Sequence, residues 1–171
     1  MEGLVKSEHP RNQDAKTVFA LLVTSDSRTK DEDETGRLAI KLIEEAGHKV
    51  RLYDMAPNDE KKIEAWLKKA VGQPEVRVIL TSGGTGIGAK DKTVDVAQPM
   101  FDKALPGFGE HFRHISFDEV GLSGVWSRAA AGVTEGKLLF CLPGSKGAVG
   151  TALEKIILPG LGHMLWELDR R

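Results

Sequence analysis

From Thr17 onward, short apolar runs alternate with stretches whose apolar residues recur at the helical spacing. Thr17 to Thr24 (TVFALLVT) is too short and too continuously apolar for a surface helix, and predicts a buried strand. Ser25 to Glu34 is polar and ends in a run of acids, Asp31 to Glu34, which reads as a solvated loop or as a cation site. Thr35 is placed to cap a helix running to Ala46, with Leu38, Ala39, Leu42, Ile43 and Ala46 on one face and Gly47 where a left-handed residue closes a helix. His48 to Asp54 predicts a second strand. Asn58 is placed to cap the next helix, whose inward stripe is Ile63, Trp66, Leu67 and Ala70, with Gly72 at its end. Val76 to Thr81 (VRVILT) predicts a third strand, which runs straight into a glycine loop, Ser82-Gly83-Gly84-Thr85-Gly86. A helix is expected over Thr93 to Ala104, with Pro99 as its kink or its true start. Leu105 to Val133 reads as short helices and turns, and Lys137 to Leu142 (KLLFCL) as another buried strand. That strand ends in the turn Pro143 to Gly147. A helix over Ala148 to Leu158 follows, broken at Pro159-Gly160 before a last helical turn or two. Residues 1–15 carry no periodic pattern and read as a flexible lead-in, leaving a single domain over 16–171.

Regular alternation of strand and helix predicts an α/β fold, a mostly parallel sheet with helices on both faces. In such folds ligands lie beyond the carboxyl ends of the strands. Thr24-Ser25-Asp26, Ser82 to Gly86 and Pro143 to Gly147 should therefore share one rim. Composition narrows the function. With 24 Lys and Arg against 25 Asp and Glu the net charge is −1, so the basic excess of a dedicated nucleic-acid binder is missing. The longest apolar run, Val18 to Val23, is far short of the about 20 residues that a membrane span requires. The polar N-terminus is no secretory signal, and the single cysteine, Cys141, excludes an internal disulfide or a multi-cysteine zinc site, so a cytoplasmic location is expected.

The glycine loop carries the sharpest chemistry. Glycines permit positive backbone angles and close approach, and their amides with the hydroxyls of Ser82 and Thr85 would form an anion nest. The alternative is a tight turn with no ligand. The glycine spacing fits neither the dinucleotide fingerprint nor a Walker loop, which argues against a dinucleotide-dependent oxidoreductase. Asp91, beside bound phosphates, would repel them without an intervening cation, which implies Mg²⁺; its alternative role is a helix cap near Thr93. Asp59 by itself looks like a residue favoured by a helix dipole. Ser127-Arg128 offers a hydroxyl and a fixed positive charge to an anion, and Gly144-Ser145-Lys146 repeats the logic of the first loop. His111 and His114 share a helical face but lack a third metal ligand nearby. Trp126 follows no clear period and suits a site or an interface.

Taken together, Ser82 to Gly86 with Asp91 and Thr93, Leu105-Pro106-Gly107-Phe108-Gly109-Glu110, Ser127-Arg128-Ala129-Ala130-Ala131-Gly132 and Leu142-Pro143-Gly144-Ser145 resemble the MoaB/Mog family of molybdenum cofactor biosynthesis proteins, the MoaB branch in particular. Thr24-Ser25-Asp26 fits the family's usual start, and the resemblance spans roughly residues 16 to 168. It implies a three-layer α/β/α sandwich, the molybdopterin-binding fold. It also implies a reaction, Mg²⁺- and ATP-dependent adenylylation of molybdopterin with release of pyrophosphate, or in some members pterin binding without turnover. Carried over to this chain, Ser82, Gly83, Gly84, Thr85 and Gly86 would cradle phosphates with Asp26 close by. Asp91 would hold Mg²⁺, Asp59 would be the second functional aspartate, and Ser127, Arg128, Gly144 and Ser145 would bind the pterin side. Lys90 stands where the family commonly has Arg, and Lys146-Gly147 departs from the family's usual continuation. The family also implies homotrimers or homohexamers. The unperiodic apolar residues from Phe108 to Val125 agree with that, because they cannot all point inward.

Overall fold

The computed structural model describes residues 16–170, so the expected lead-in over residues 1–15 lies outside the described residues. Six strands form one sheet: β1 (Val18–Thr24), β2 (Lys49–Ala56), β3 (Val78–Ser82), β4 (Lys103–Ala104), β5 (Ala130–Thr134) and β6 (Lys137–Leu142). Their order is β2-β1-β3-β6-β5-β4. The first four in that order are mutually parallel, while β5 runs antiparallel to both β6 and β4.

Side chains alternate across this sheet. On one face Phe19, Leu21, Val23, Leu80, Leu138 and Phe140 pack against α1 (Glu34–Glu45), α4 (Pro106–Val120), α6 (Lys146–Ala152) and α7 (Leu158–Asp169). On the other, Ala20, Leu22, Ile79, Leu139 and Cys141 pack against α2 (Glu60–Val71) and α3 (Thr93–Ala97). β1, β3 and β6 are buried on both faces, which explains why they read as continuous apolar runs, whereas β2 at the sheet edge is only partly buried. The expected three-layer sandwich is the observed one. Cys141 lies next to the carboxyl end of β6, fully buried, and burial pushes its thiol pKa up to about 11.

Several element boundaries depart from the sequence reading. Asp33, not Thr35, caps α1: its carboxylate accepts from the Gly36 amide at 2.9 Å and from the Tyr53 hydroxyl at 2.6 Å. Thr35 lies in the first turn and donates to the Gly144 carbonyl at 3.3 Å, and Ala46 is exposed. The acidic run is therefore not one solvated loop, since Asp33 is wholly buried. Asp59, not Asn58, caps α2, accepting from the Lys62 amide at 2.9 Å. The helix expected over Thr93 to Ala104 ends at Ala97. Pro99 sits in a 3₁₀ turn, Gln98–Met100, and the chain then extends so that Lys103 and Ala104 pair with Val133 and Gly132. The Phe101 ring lies over the Gly132 Cα, where no side chain would fit, so packing overrides the local helical pattern. Leu105 to Val133 holds a long helix, α4, the short α5 (Leu122–Val125) and a strand, β5, that its small residues conceal. Pro159-Gly160 is no break. A π-helical turn over Leu153–Ile157 brings Pro159 into the first turn of α7, where a missing N–H costs nothing, and helix continues to Asp169.

Candidate functional site

The carboxyl ends of β1, β3 and β6 are neighbours, so the three polar strand ends do meet on one rim. They meet backbone to backbone. The Gly83 amide donates to the Leu142 carbonyl at 2.9 Å, and the Ser82 hydroxyl donates to the Pro143 carbonyl at 3.2 Å. A Cβ on Gly83 would lie 2.5 Å from the Thr24 carbonyl, and one on Gly144 would lie 3.3 Å from the Gly83 Cα. Gly83 and Gly84 take φ of 104° and 67°, the left-handed region that other residues avoid. Only glycine satisfies both demands at these positions.

Beyond Gly83 the loop has a marked polarity. Its carbonyls face inward: Gly84 accepts from the Thr93 amide at 3.2 Å, Thr85 from the Arg128 amide at 2.8 Å, and Gly86 from the Arg128 Nε at 2.8 Å. The amides of Gly84, Thr85 and Gly86 donate to no acceptor among the described residues. These glycines, Thr85 and Asp91 line a cleft of about 500 Å³, closed by Ile87, Ser123, Trp126, Ser127, Pro143 and Gly144. A run of amides without acceptors, on residues that line a cleft, is the arrangement that an anion nest requires.

Asp91 curls back over the loop, accepting from the Gly88 amide at 2.9 Å. Among the described residues no group of three His, Cys, Asp or Glu side chains is arranged to hold a metal, and His111 and His114 are exposed on α4. Asp91 is the one carboxylate of the cleft lining.

The remaining sequence candidates take other places. Arg128 sits behind the loop. Its guanidinium grips both Asp95 oxygens, at 2.7 and 3.0 Å, and donates to the Asp91 carbonyl at 2.9 Å. The Asp95 contact raises the Arg128 pKa and lowers that of Asp95. Arg128 lines a separate hollow of about 330 Å³ with Phe101, Leu105 and Arg113. Ser145 caps α6, accepting from the Ala148 amide at 3.2 Å, and Asp59 caps α2 away from the cleft. Asp26 stands at the rim's edge, accepting from the Asn58 amide at 2.8 Å, with the Lys90 ammonium 3.9 Å away. The Asn58 hydrogen bonds hold the Asp26 carboxyl below its ordinary pKa.

Three residues at the rim escaped the sequence reading as site residues, Asn58, Ile87 and Ser123. Asn58, read as a cap, turns its side chain inward. Its Oδ1 is buried without a partner, 3.1 Å from where a Gly84 Cβ would lie. Its proximity to Asp26 helps to lower that carboxyl's pKa, and its oxygen lies toward the loop. No periodicity argument could find it. The signal was its place one residue before a cap at a strand's carboxyl end.

Comparison with known proteins fits this geometry. Residues 20–163 match the family described as "Probable molybdopterin binding domain". The chain belongs to that family. It is 44% identical over 163 residues to molybdenum cofactor biosynthesis protein B of Halalkalibacterium halodurans, covering 94% of this chain and 96% of that relative. The Bacillus subtilis protein of the same name is 38% identical over 151 residues, 88% of this chain and 89% of the relative. Among solved structures, a molybdenum cofactor biosynthesis protein B superposes with a TM-score of 0.88 at 40% identity, over 92% of this chain and 98% of the other. The tungsten cofactor synthesizing protein MoaB from Pyrococcus furiosus gives 0.83 at 35% identity, over 91% and 98%. The MoaB/Mog resemblance and its fold are thus those of the family itself.

Proposed function

We propose that this molybdenum cofactor biosynthesis protein adenylylates molybdopterin in the cytoplasm. The terminal phosphate oxygen of the pterin attacks the α-phosphorus of ATP, the bond between the α-phosphorus and its bridging oxygen breaks, and pyrophosphate leaves. The observation that carries this reading is the polarity of the glycine loop, with its carbonyls tied inward and the amides of Gly84, Thr85 and Gly86, residues of the cleft lining, left without an acceptor among the described residues. Such chemistry needs positioning and charge neutralisation more than a protein nucleophile. Mg²⁺ suits this setting, since it is held by one or two carboxylates with phosphate oxygens and waters; Asp91 would hold the ion, and the ion's positive charge would offset that of the transferring group.

The other candidates then have supporting roles. Ser127 and Gly144 border the pterin side of the cleft, and Ser82 anchors the loop base through Pro143. Arg128 shapes the nest rather than meeting the ligand. Asp26, Asp59 and Ser145 fix the neighbouring strand ends and helix starts. A second reading is favoured by one observation: a single carboxylate lines the cleft, which suits a protein that binds the pterin without turnover.

Incubation with molybdopterin, Mg²⁺ and α-labelled ATP decides between them. Label on the pterin with equimolar pyrophosphate release is expected. Saturable pterin binding with no pyrophosphate would assign the carrier role instead.

A further inference from the structure

We propose that the exposed indole of Trp126 is the platform on which the fused heteroaromatic ring of a phosphate-bearing ligand stacks, so that the cleft has a ring subsite beside its anion nest. This rests on the reading of the glycine loop as a phosphate site. Trp126 is 61% exposed, unusual for the side chain with the largest apolar area. The other tryptophans have company. Trp66 is buried and its Nε1 donates to Asp54 at 2.9 Å, while Trp166 stacks on His163 and lies under the Arg170 guanidinium. On Trp126 no ring or cation packs among the described residues, and its N–H donates to none of them.

Its position is nonetheless fixed. Trp126 ends α5, and the next two residues are clamped: Arg113 donates to the Ser127 carbonyl at 3.3 Å, and the Arg128 amide donates to Thr85 at 2.8 Å. The ring is therefore held at a set offset from the open amides of the glycine loop. On the same cleft stands Ile87, 78% exposed, immediately after the nest. A 500 Å³ cleft whose lining holds both the glycine loop and two exposed apolar side chains matches a ligand that carries a phosphate and a flat ring together. Purine and pterin share that chemistry. The exposed Phe117, Val120 and Leu122 lie outside the cleft lining, so they do not account for Trp126.

The test uses the full chain, with Trp126→Ala and Trp126→Phe variants. Binding of pyrophosphate, ribose 5-phosphate, AMP and a phosphorylated hydroxymethylpterin is measured by calorimetry, with tryptophan fluorescence alongside. The ring-bearing ligands should quench the solvent-exposed emission, and Trp126→Ala should weaken at least one of them by about tenfold while Trp126→Phe restores most of it. Pyrophosphate and ribose 5-phosphate should bind all three proteins alike. Dependence on Trp126 for AMP alone assigns the subsite to a purine, and for the phosphopterin alone to a pterin. Equal weakening of pyrophosphate, or no weakening of either ring-bearing ligand, overturns the proposal while the anion nest stands. So does a fall in assembly mass in Trp126→Ala with ligand affinities unchanged, which would make the residue an interface side chain. If no phosphate compound binds the wild-type protein, the reading of the loop itself fails, and this proposal with it.

Discussion

Gly84 shows how much a single position can demand. Its φ of 67° disfavours any side chain, and a Cβ there would press on the Thr93 side chain and on Asn58 Oδ1. Gly84→Val is expected to destabilise the fold by about 1–3 kcal/mol in urea titration, the usual cost of a residue forced into that region, and to abolish pyrophosphate binding. Asp91→Asn is a cleaner probe. The amide oxygen can still accept from Gly88, so stability should change by less than about 1 kcal/mol while nucleotidyl transfer is lost. Far-UV circular dichroism with the turnover assay checks both halves, and an active variant would remove Asp91 from the chemistry. His48 gives a pH signature. Burial lowers its pKa, and its Nδ1 accepts from the Thr17 amide. The neutral form is therefore the one that the fold favours. Its contribution is present above about pH 6.5, the unfolded value, and is lost as pH falls toward the folded one. Melting curves from pH 7.5 to about pH 5 should show a steeper loss for wild type than for His48→Gln. The glycines and Asp91 stood out in the sequence because glycine, hydroxyl and acid cluster there, although a tight turn and a helix cap would use the same residues. Asn58 did not, because an asparagine beside a helix start has an ordinary use as a cap.

Among the elements, the clasp formed by Arg128 is the one with a function to lose. Its guanidinium reaches the Gly86 and Asp91 carbonyls and both Asp95 oxygens, which joins β5's approach, α3 and the glycine loop. Arg128→Ala should leave secondary structure intact, speed hydrogen exchange at the amides of Thr93 and of position 128, which donate to the Gly84 and Thr85 carbonyls, and weaken pyrophosphate binding by about 1 kcal/mol, roughly fivefold. Arg128→Lys should not restore it, because an ammonium cannot replace the planar fork. Unchanged exchange and affinity would show that the loop holds its shape alone. The buried parallel strands were legible from their apolar runs, and α1 and α2 from their stripes. β5 was hidden because Ala130, Ala131 and Gly132 carry no strand signal of their own; a strand forms there because β6 and β4 offer edges on either side. The run from α6 to α7 was misread for a related reason. A proline at a helix's first turn and a proline that ends a helix look alike until the preceding turn is known to widen.

At the scale of the molecule, the surface is uneven. Phe117, Val120, Leu122 and Val125 are all exposed at the end of α4 and along α5, so the expected homotrimer or homohexamer has an apolar surface on which to form. Light scattering after size exclusion should give three or six times 18.6 kDa and hold at micromolar dilution, and a monomer mass would refute the assembly. Leu122→Lys should lower that mass without touching the cleft lining. The layered architecture was legible from the alternation of elements, whereas this surface showed only as apolar residues with no period, because a stripe that serves two neighbours has no single direction. Cys141 has a further use. The sole thiol sits in a central strand with β3 on one side and β5 on the other, so a thiol reagent must wait until the sheet comes apart. Labelling is then a clock for global opening. Any compound that binds only the native protein slows that clock by a factor of one plus its concentration over Kd, so affinity for the cleft can be read at a distance, from one sulfur, without a turnover assay.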